Sequence, residues 1–388
     1  MATMLPSLSN VVELTQALVR IPSVNPDGDP GTTETGEQAC GQFVAAFLER
    51  IGAKAVLEEV QPGRPNVIGR FPSNLGANGR KKPCIVFGPH LDTVGVGGMT
   101  IEPFSGELRD GRIWGRGASD TKGPMASMLW ALKTLGAQAI AELPVEVHFA
   151  GFMSEESSQH GSRHFAENHP DYAFALVAEP TSLKTVLKHK GCLWDDVVTT
   201  GLAAHGATPE KGVNAITKMA AIIQALDTEF RDLLVELGGV DELLGCSTLN
   251  IGMIHGGTRS NIVAAECTLR VDIRTTPALH RAGGAAKLLR EFIARTDPTA
   301  HTCSVSEAMP LDTSADNPFV KHLVACGAEI TGAPWFCDGA FLAAEGIPSI
   351  AIGPGSIAQA HTKDEWIDVA ELEAGAAFFV NFLRTLRL

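Results

Sequence analysis

A chain of 388 residues with 45% hydrophobic and 19% charged side chains is ordinary for a soluble globular protein of two or three folding units. Its formal charge of -13, with no clustered Lys and Arg, excludes a nucleic-acid binder, because phosphate contacts need concentrated positive charge. The opening MATMLPSLSNVVELTQALVRIPSV has no basic region leading into an unbroken apolar core, and no later stretch reaches the roughly 18 apolar residues of a bilayer span, so neither a signal peptide nor a membrane partner is expected.

From Asn10 to Ala53 the apolar positions recur at helical spacing, through Val12, Leu14 and Leu18 and then Phe43, Phe47 and Leu48. A Pro- and Gly-rich stretch from Ile21 to Gly31 separates the two runs, which predicts helix, loop, helix. Short apolar runs follow at Asn66 to Phe71, Pro83 to Phe87 and Val145 to Phe152, with a helix expected over Gly123 to Leu135. Strands alternating with helices predict an α/β sheet buried on both faces.

A second style begins near Gly191. Strand Cys192 to Thr200, helix Gly212 to Leu237, strands Ser247 to His255 and Ile262 to Ile273, helix Leu279 to Arg295 and strand Thr302 to Ser306 give the β-α-β-β-α-β order of a ferredoxin-like unit. From Asn317 the first style returns, with strand Ser349 to Ile352 and a last amphipathic helix Val369 to Leu386. The expected organisation is an α/β catalytic domain, a mixed sheet flanked by helices, in two parts, 1–190 and 309–388. An α+β ferredoxin-like domain is inserted at 191–308.

Eight cysteines are scattered without a C-x-x-C pair in a chain too large to need disulfide staples. They read as reduced thiols of a cytoplasmic protein, most of them small buried apolar residues.

Five loops carry residues that suit metal chemistry. PCIVFGPHLDTV places His90 and Asp92 just past an apolar strand, where open α/β sheets hold their ligands, and Asp92 is placed to hold the second ring nitrogen of a ligating His90. GRGASDTKGPM puts Asp120 at the mouth of a helix, where alone it would read as a cap. FMSEESSQHGS ends a strand with adjacent Glu155 and Glu156; such crowded like charges make sense if a cation balances one and proton transfer uses the other, the alternative being a solvated acidic turn. ALVAEPTSL places Glu179, and GPGSIAQAHTKDEW places His361, directly after strands; singly these are a helix cap and a surface histidine. Together the five form a nitrogen and oxygen donor set suited to borderline divalent metals. There is no G-x-S-x-G elbow for a serine nucleophile, and GVGG at Gly95 to Gly98 lacks the third glycine of a dinucleotide loop.

In this order the motifs H-L-D-T-V, G-A-S-D-T-K-G, S-E-E, E-P-T and Q-A-H resemble the di-zinc metallopeptidase family of acetylornithine deacetylase, succinyl-diaminopimelate desuccinylase, aminoacylase and glutamate carboxypeptidase, and the resemblance spans essentially the whole chain. It implies two divalent metal ions, zinc foremost with cobalt or manganese as alternatives. Asp120 would bridge them, His90 and Glu179 would complete one site, and Glu156 and His361 the other. It further implies Glu155 as general base, Asp92 as the residue orienting His90, and a lid and dimerisation role for the inserted domain. There His205 would support the oxyanion, while Asn261 and Arg274 would hold a substrate carboxylate. The expected activity is hydrolysis of an amide bond in an N-acyl amino acid or small peptide, acetylornithine deacetylase-like. Asp338-Gly339 in WFCDGAF is closer to the desuccinylase, which keeps desuccinylase-like and carboxypeptidase-like hydrolysis open. The expected partners are a small amide substrate bearing a carboxylate and a second copy of the chain; a non-catalytic carboxylate-binding dimer is the remaining alternative.

Overall fold

The computed structural model describes residues 6–76 and 79–387. The chain divides into two compact units, one formed by Met1–Leu187, Thr313–Thr331 and Cys337–Leu388, the other by Lys188–Asp312 and Gly332–Phe336. The second unit thus starts three residues before the expected insertion, ends four after it, and also claims a short later segment.

The first unit is built on a mixed sheet. Its strands lie in the order Lys54–Gln61, Arg64–Arg70, Glu146–Gly151, Cys84–Gly88, Phe174–Val177, Ser349–Ala351 and Thr185–His189. The middle four run parallel, and the outer pairings are antiparallel. Cys84–Gly88, Phe174–Val177 and Ser349–Ala351 are buried at every position, the pattern of strands covered on both faces.

Helix Val11–Val19 begins where the Asn10 side chain accepts the Glu13 N–H at 2.8 Å, satisfying one of the donors a helix start leaves free. Helices Gly123–Leu135 and Val369–Thr385 pack together, and Phe379 meets Phe87 of the central strand edge-on, ring centroids 5.7 Å apart. Phe47, Phe149 and Phe382 join the same core. Each such side chain contributes about 1.5–3 kcal/mol through burial, which fixes the sheet and hence the loops at its carboxyl edge. Strand Lys54–Gln61 was not anticipated: KAVLEEVQ is largely exposed at the sheet edge, so it carries no apolar run to betray it.

The second unit has the expected β-α-β-β-α-β order. Its sheet runs Thr248–Gly256, Glu266–Thr275, Gly191–Thr200, His301–Ala308, all pairings antiparallel, with the first and last strands of the unit adjacent as in ferredoxin-like folds. The expected helix Leu279 to Arg295 is two helices, Pro277–Arg281 and Ala285–Thr296, because Gly283 and Gly284 take φ of 121° and 78° between them. The other helix starts at Ala215, where the Asn214 side chain accepts from Ile216 and Thr217. Among the described residues no helix is long and apolar enough to cross a membrane.

Candidate metal centre

Four parallel strands end on the same edge, and each carboxyl end leads into one of the loops singled out above. Gly88 leads to His90, Gly151 to Glu155 and Glu156, Val177 to Glu179, and Ala351 to the loop bearing His361. His90 even extends the ladder by bridging to Phe152 in parallel fashion. Parallel strands force this convergence, since their ends cannot alternate between edges.

Asp120 arrives from the segment leading into helix Gly123–Leu135 rather than from a strand. A glycine at 123 lets the helix start come close, because a Cβ there would stand 2.4 Å from the Ala118 carbonyl oxygen. Gly117 turns the chain with φ 81° just before, and the bond from Asp120 to Thr121 is cis. The loop is then tied down by Glu365. Its Oε1 accepts the N–H groups of Ser119 at 2.7 Å and Asp120 at 2.8 Å, while Oε2 accepts from Gly117 and from the buried Arg116 guanidinium, both at 2.9 Å.

The two carboxylate oxygens of Asp120 face two different histidines. Oδ1 is 3.1 Å from His90 Nε2, and Oδ2 is 3.4 Å from His361 Nε2, which also lies 2.9 Å from Glu156 Oε2. Ligand atoms of His90, Asp120 and Glu156 lie within 4.8 Å of one another. His361 reaches the group from a left-handed backbone conformation, φ 60°, which is costly for a residue with a Cβ and is often retained at functional positions.

Asp92 does more than hold the His90 ring. The nearest acceptor to His90 Nδ1 is the Asp92 backbone carbonyl at 2.9 Å, whereas its carboxylate Oδ1 is 3.6 Å away. That carboxylate instead accepts the Glu155 and Glu156 N–H groups at 3.0 and 3.1 Å and the Asn25 side-chain amide at 2.7 Å. The physical reason is that adjacent Glu residues at a strand end leave two backbone donors pointing inward, and a buried donor left unmade is expensive. Asp92 therefore fixes both the His90 tautomer and the Glu155-Glu156 turn.

More carboxyl groups are buried in the cluster than can easily ionise together. Glu155 and Glu179 are pushed well above the ordinary carboxylate range by burial and by neighbouring acids, and Asp338 is raised to about 7, burial again foremost. His361 is raised to about 10 by its hydrogen bonds to Asp120 and Glu156. Burial opposes charge on Asp120, yet hydrogen bonds from His361 and His90 hold it below its ordinary value. Glu156 Oε1 and Glu179 Oε1 are buried with no hydrogen-bond partner. With His90 Nδ1 donating to a carbonyl, Nε2 is left facing a carboxylate oxygen, acceptor against acceptor unless a cation or a proton lies between. Orphaned carboxylate oxygens, crowded buried acids and two imidazoles are the donor set that divalent cations satisfy.

Three expected site residues belong to the second unit. His205 and Asn261 lie on neighbouring segments, with the Gly206 N–H donating to the Asn261 carbonyl at 2.8 Å and a bridge joining His205 to Ile262; both side chains are exposed. Arg274 is forked onto Asp272 at 2.8 and 2.9 Å. Glu365, Arg116, Asn25 and Asp338 were not singled out for roles in the centre. The acidic KDEW two residues beyond His361 and the GRG before Asp120 were the available signals for the first two.

Residues 86–385 match the peptidase family M20/M25/M40. The chain belongs to this family. It is 31% identical over 376 residues to an acetylornithine deacetylase of Proteus mirabilis, covering 94% of each chain. Its fold is that of a Staphylococcus aureus tripeptidase, TM-score 0.76 at 21% identity with 96% and 97% of the two chains covered. It also matches a Bacillus subtilis peptidase of the M20 family described as dinuclear metal binding, TM-score 0.66 at 16% identity over 97% and 98%. The chain is a metal-dependent amide hydrolase.

Proposed function

We propose that the chain removes the acyl group from an N-acyl amino acid in the manner of an acetylornithine deacetylase, using two divalent ions, zinc foremost. The single observation carrying the two-ion reading is that Asp120 offers one oxygen towards His90 and the other towards His361 and Glu156. His90 and Glu179 would hold one ion with Asp120, and Glu156 and His361 the other. Bound there, such a pair lowers the pKa of a water and polarises the amide carbonyl.

The remaining work falls to the protein. Glu155, 9% exposed and raised by burial, is suited to take the water's proton and return it to the leaving nitrogen, because a general base works best with a pKa lifted towards the working pH. Asp92 and Glu365 hold the loops on which these groups ride. His205 supports the oxyanion, and Asn261 and Arg274 hold the substrate carboxylate, for which a guanidinium fork is the matching shape. Arg274 must then exchange its Asp272 partner for the substrate, so Arg274→Ala raises KM at least tenfold; an unchanged KM removes it from the substrate site.

The identity to the Proteus mirabilis deacetylase favours an acetyl substrate. Asp338 favours a second reading, desuccinylase-like or carboxypeptidase-like, because it adds an acid to the buried cluster where the sequence resembles the desuccinylase. N-acetyl, N-succinyl and aminoacyl amino acids and dipeptides, assayed for free amine on zinc- or cobalt-loaded protein, separate these. Release from none of them sinks the proposal.

A homodimer paired through the second unit fits its exposed edge strand Thr248–Gly256, where Met253 and Ile254 are half exposed. Sedimentation of the wild type and of a Met253→Lys, Ile254→Lys variant tests it: a wild-type monomer ends the idea. None of the eight cysteines is in a disulfide, which suits the reducing cytoplasm.

A further inference from the structure

The opposite end of the central sheet carries a second group of ligand-type side chains that amide hydrolysis does not use. Strands Cys84–Gly88 and Glu146–Gly151 run parallel, with Cys84 beside Glu146 and Val86 beside His148. Side chains alternate along a strand, so Cys84, Glu146 and His148 leave one face of the sheet together, at the amino ends of the two strands. His90 and Glu155 follow the carboxyl ends of those same strands.

A ligand atom from each of the three, the thiol sulfur, a carboxylate oxygen and a ring nitrogen, lie within 4.8 Å of one another. The His148 ring is fixed from behind: Nδ1 is 2.8 Å from the Tyr172 hydroxyl, and the two rings meet edge-on with centroids 5.5 Å apart. Tyr172 is held in turn against Phe165. An imidazole pinned through one nitrogen presents the other as a preset ligand, the arrangement metal-binding histidines use. The thiol is 5% exposed, while Glu146 and His148 are half-buried, so the group is neither a solvated acidic turn nor a core thiol without neighbours.

We propose that Cys84, Glu146 and His148 form a third metal site, for a zinc-like borderline ion, independent of the two-ion centre. Sulfur, nitrogen and oxygen donors with a fourth position open to water make an ordinary zinc donor set. Bonds of about 2.0–2.3 Å put tetrahedral ligands about 3.3–3.8 Å apart, so closure asks for side-chain movement of about 1 Å. Thiolate and carboxylate balance the ion's charge. Arg70 and Lys81 also act on this group and oppose a cation.

The test is a cobalt titration of metal-free, full-length protein, read by metal content and by near-ultraviolet absorption. A thiolate bound to Co²⁺ gives a charge-transfer band that the nitrogen and oxygen donors proposed for the two-ion centre cannot give. Three ions per chain are expected, the band growing in with one of them. Cys84→Ser should remove the band and one ion while leaving turnover unchanged. His148→Gln and Glu146→Gln, at half-buried positions that tolerate change, should each weaken the band-forming ion at least tenfold. A wild-type titration that saturates without the band overturns the proposal. So does a band that survives in Cys84→Ser, which would assign it to another thiol, or one whose affinity neither of the other variants changes. Because the readout is not turnover, the result stands whatever becomes of the deacylase reading.

Discussion

The two units differ in how closely they gather their acids. On the sheet of the second unit, acids on one strand meet arginines on the next or beside them: Arg270 grips Asp196 with two bonds of 2.7 Å, and Arg274 grips Asp272, which Trp194 also reaches at 3.0 Å. At the carboxyl edge of the first unit, Glu156 and Glu179 are buried with an oxygen each left unpartnered. An exposed pair costs little and contributes little. A buried carboxylate without a partner costs several kcal/mol and is kept only where something else compensates it. Several buried acids gathered against two imidazoles mark where the chemistry is, since a lone orphaned oxygen also occurs at the buried Asp195 of the second unit.

The largest effect should come from removing that compensation. Chelation abolishes amide hydrolysis, and zinc or cobalt restores it. It also removes the stabilisation of ions held at 100 to 1,000 times their Kd, about 3–4 kcal/mol, seen as a fall in Tm. Activity that survives exhaustive dialysis against chelator would put the first unit on the same footing as the second.

Next in size is Glu155→Ala, which keeps metal content but lowers kcat by about 10²–10⁴-fold. Normal turnover in that variant would reassign the base.

Glu365→Gln tests the supports of the centre rather than the centre. It leaves the Arg116 guanidinium buried beside a neutral amide, and losing one partner of a buried pair costs about 3–5 kcal/mol, measurable by denaturant unfolding, with weaker metal binding because the Asp120 loop loses its anchor. A change below about 1 kcal/mol would class Glu365 with the surface acids.

The smallest effect belongs to the second unit. Asp241→Asn breaks the 2.8 Å pair with Lys188 at a cost of about 1 kcal/mol or less. Its pH dependence has a definite sign. Burial opposes it, but Lys188 and the Leu243 and Leu244 N–H groups hold Asp241 below 3.8, and Asp241 holds Lys188 above 10.5. The difference between wild type and variant is therefore full above the unfolded carboxyl value near 3.8 and shrinks as pH falls through the folded one. It is likewise full below the unfolded amine value near 10.5 and lost as pH rises through the folded one. A difference that grows in acid would contradict the pairing.

Much of the centre was legible because its residues sit in short motifs directly after apolar strands. His90, Glu155, Glu156, Glu179 and His361 each follow a run of Val, Ile, Phe or Ala that reads as a buried strand, and the structure brings those strand ends together. Glu365 was not legible, since an acid in KDEW looks like solvated surface until the fold buries it against three backbone donors and Arg116. Strand Lys54–Gln61 escaped for the converse reason, being too polar to show a period.

The sequence by itself determined the donor types, their order and the alternation of strand and helix that makes an α/β sheet, since local patterns of burial and turn residues suffice for those. Only the tertiary structure decided which oxygen of Asp120 faces which histidine, that the Asp92 carboxylate serves the Glu155-Glu156 backbone, and that Cys84 stands beside Glu146 and His148. Those are matters of register and packing between segments tens to hundreds of residues apart, and a spacing along the chain carries no information about distance across it.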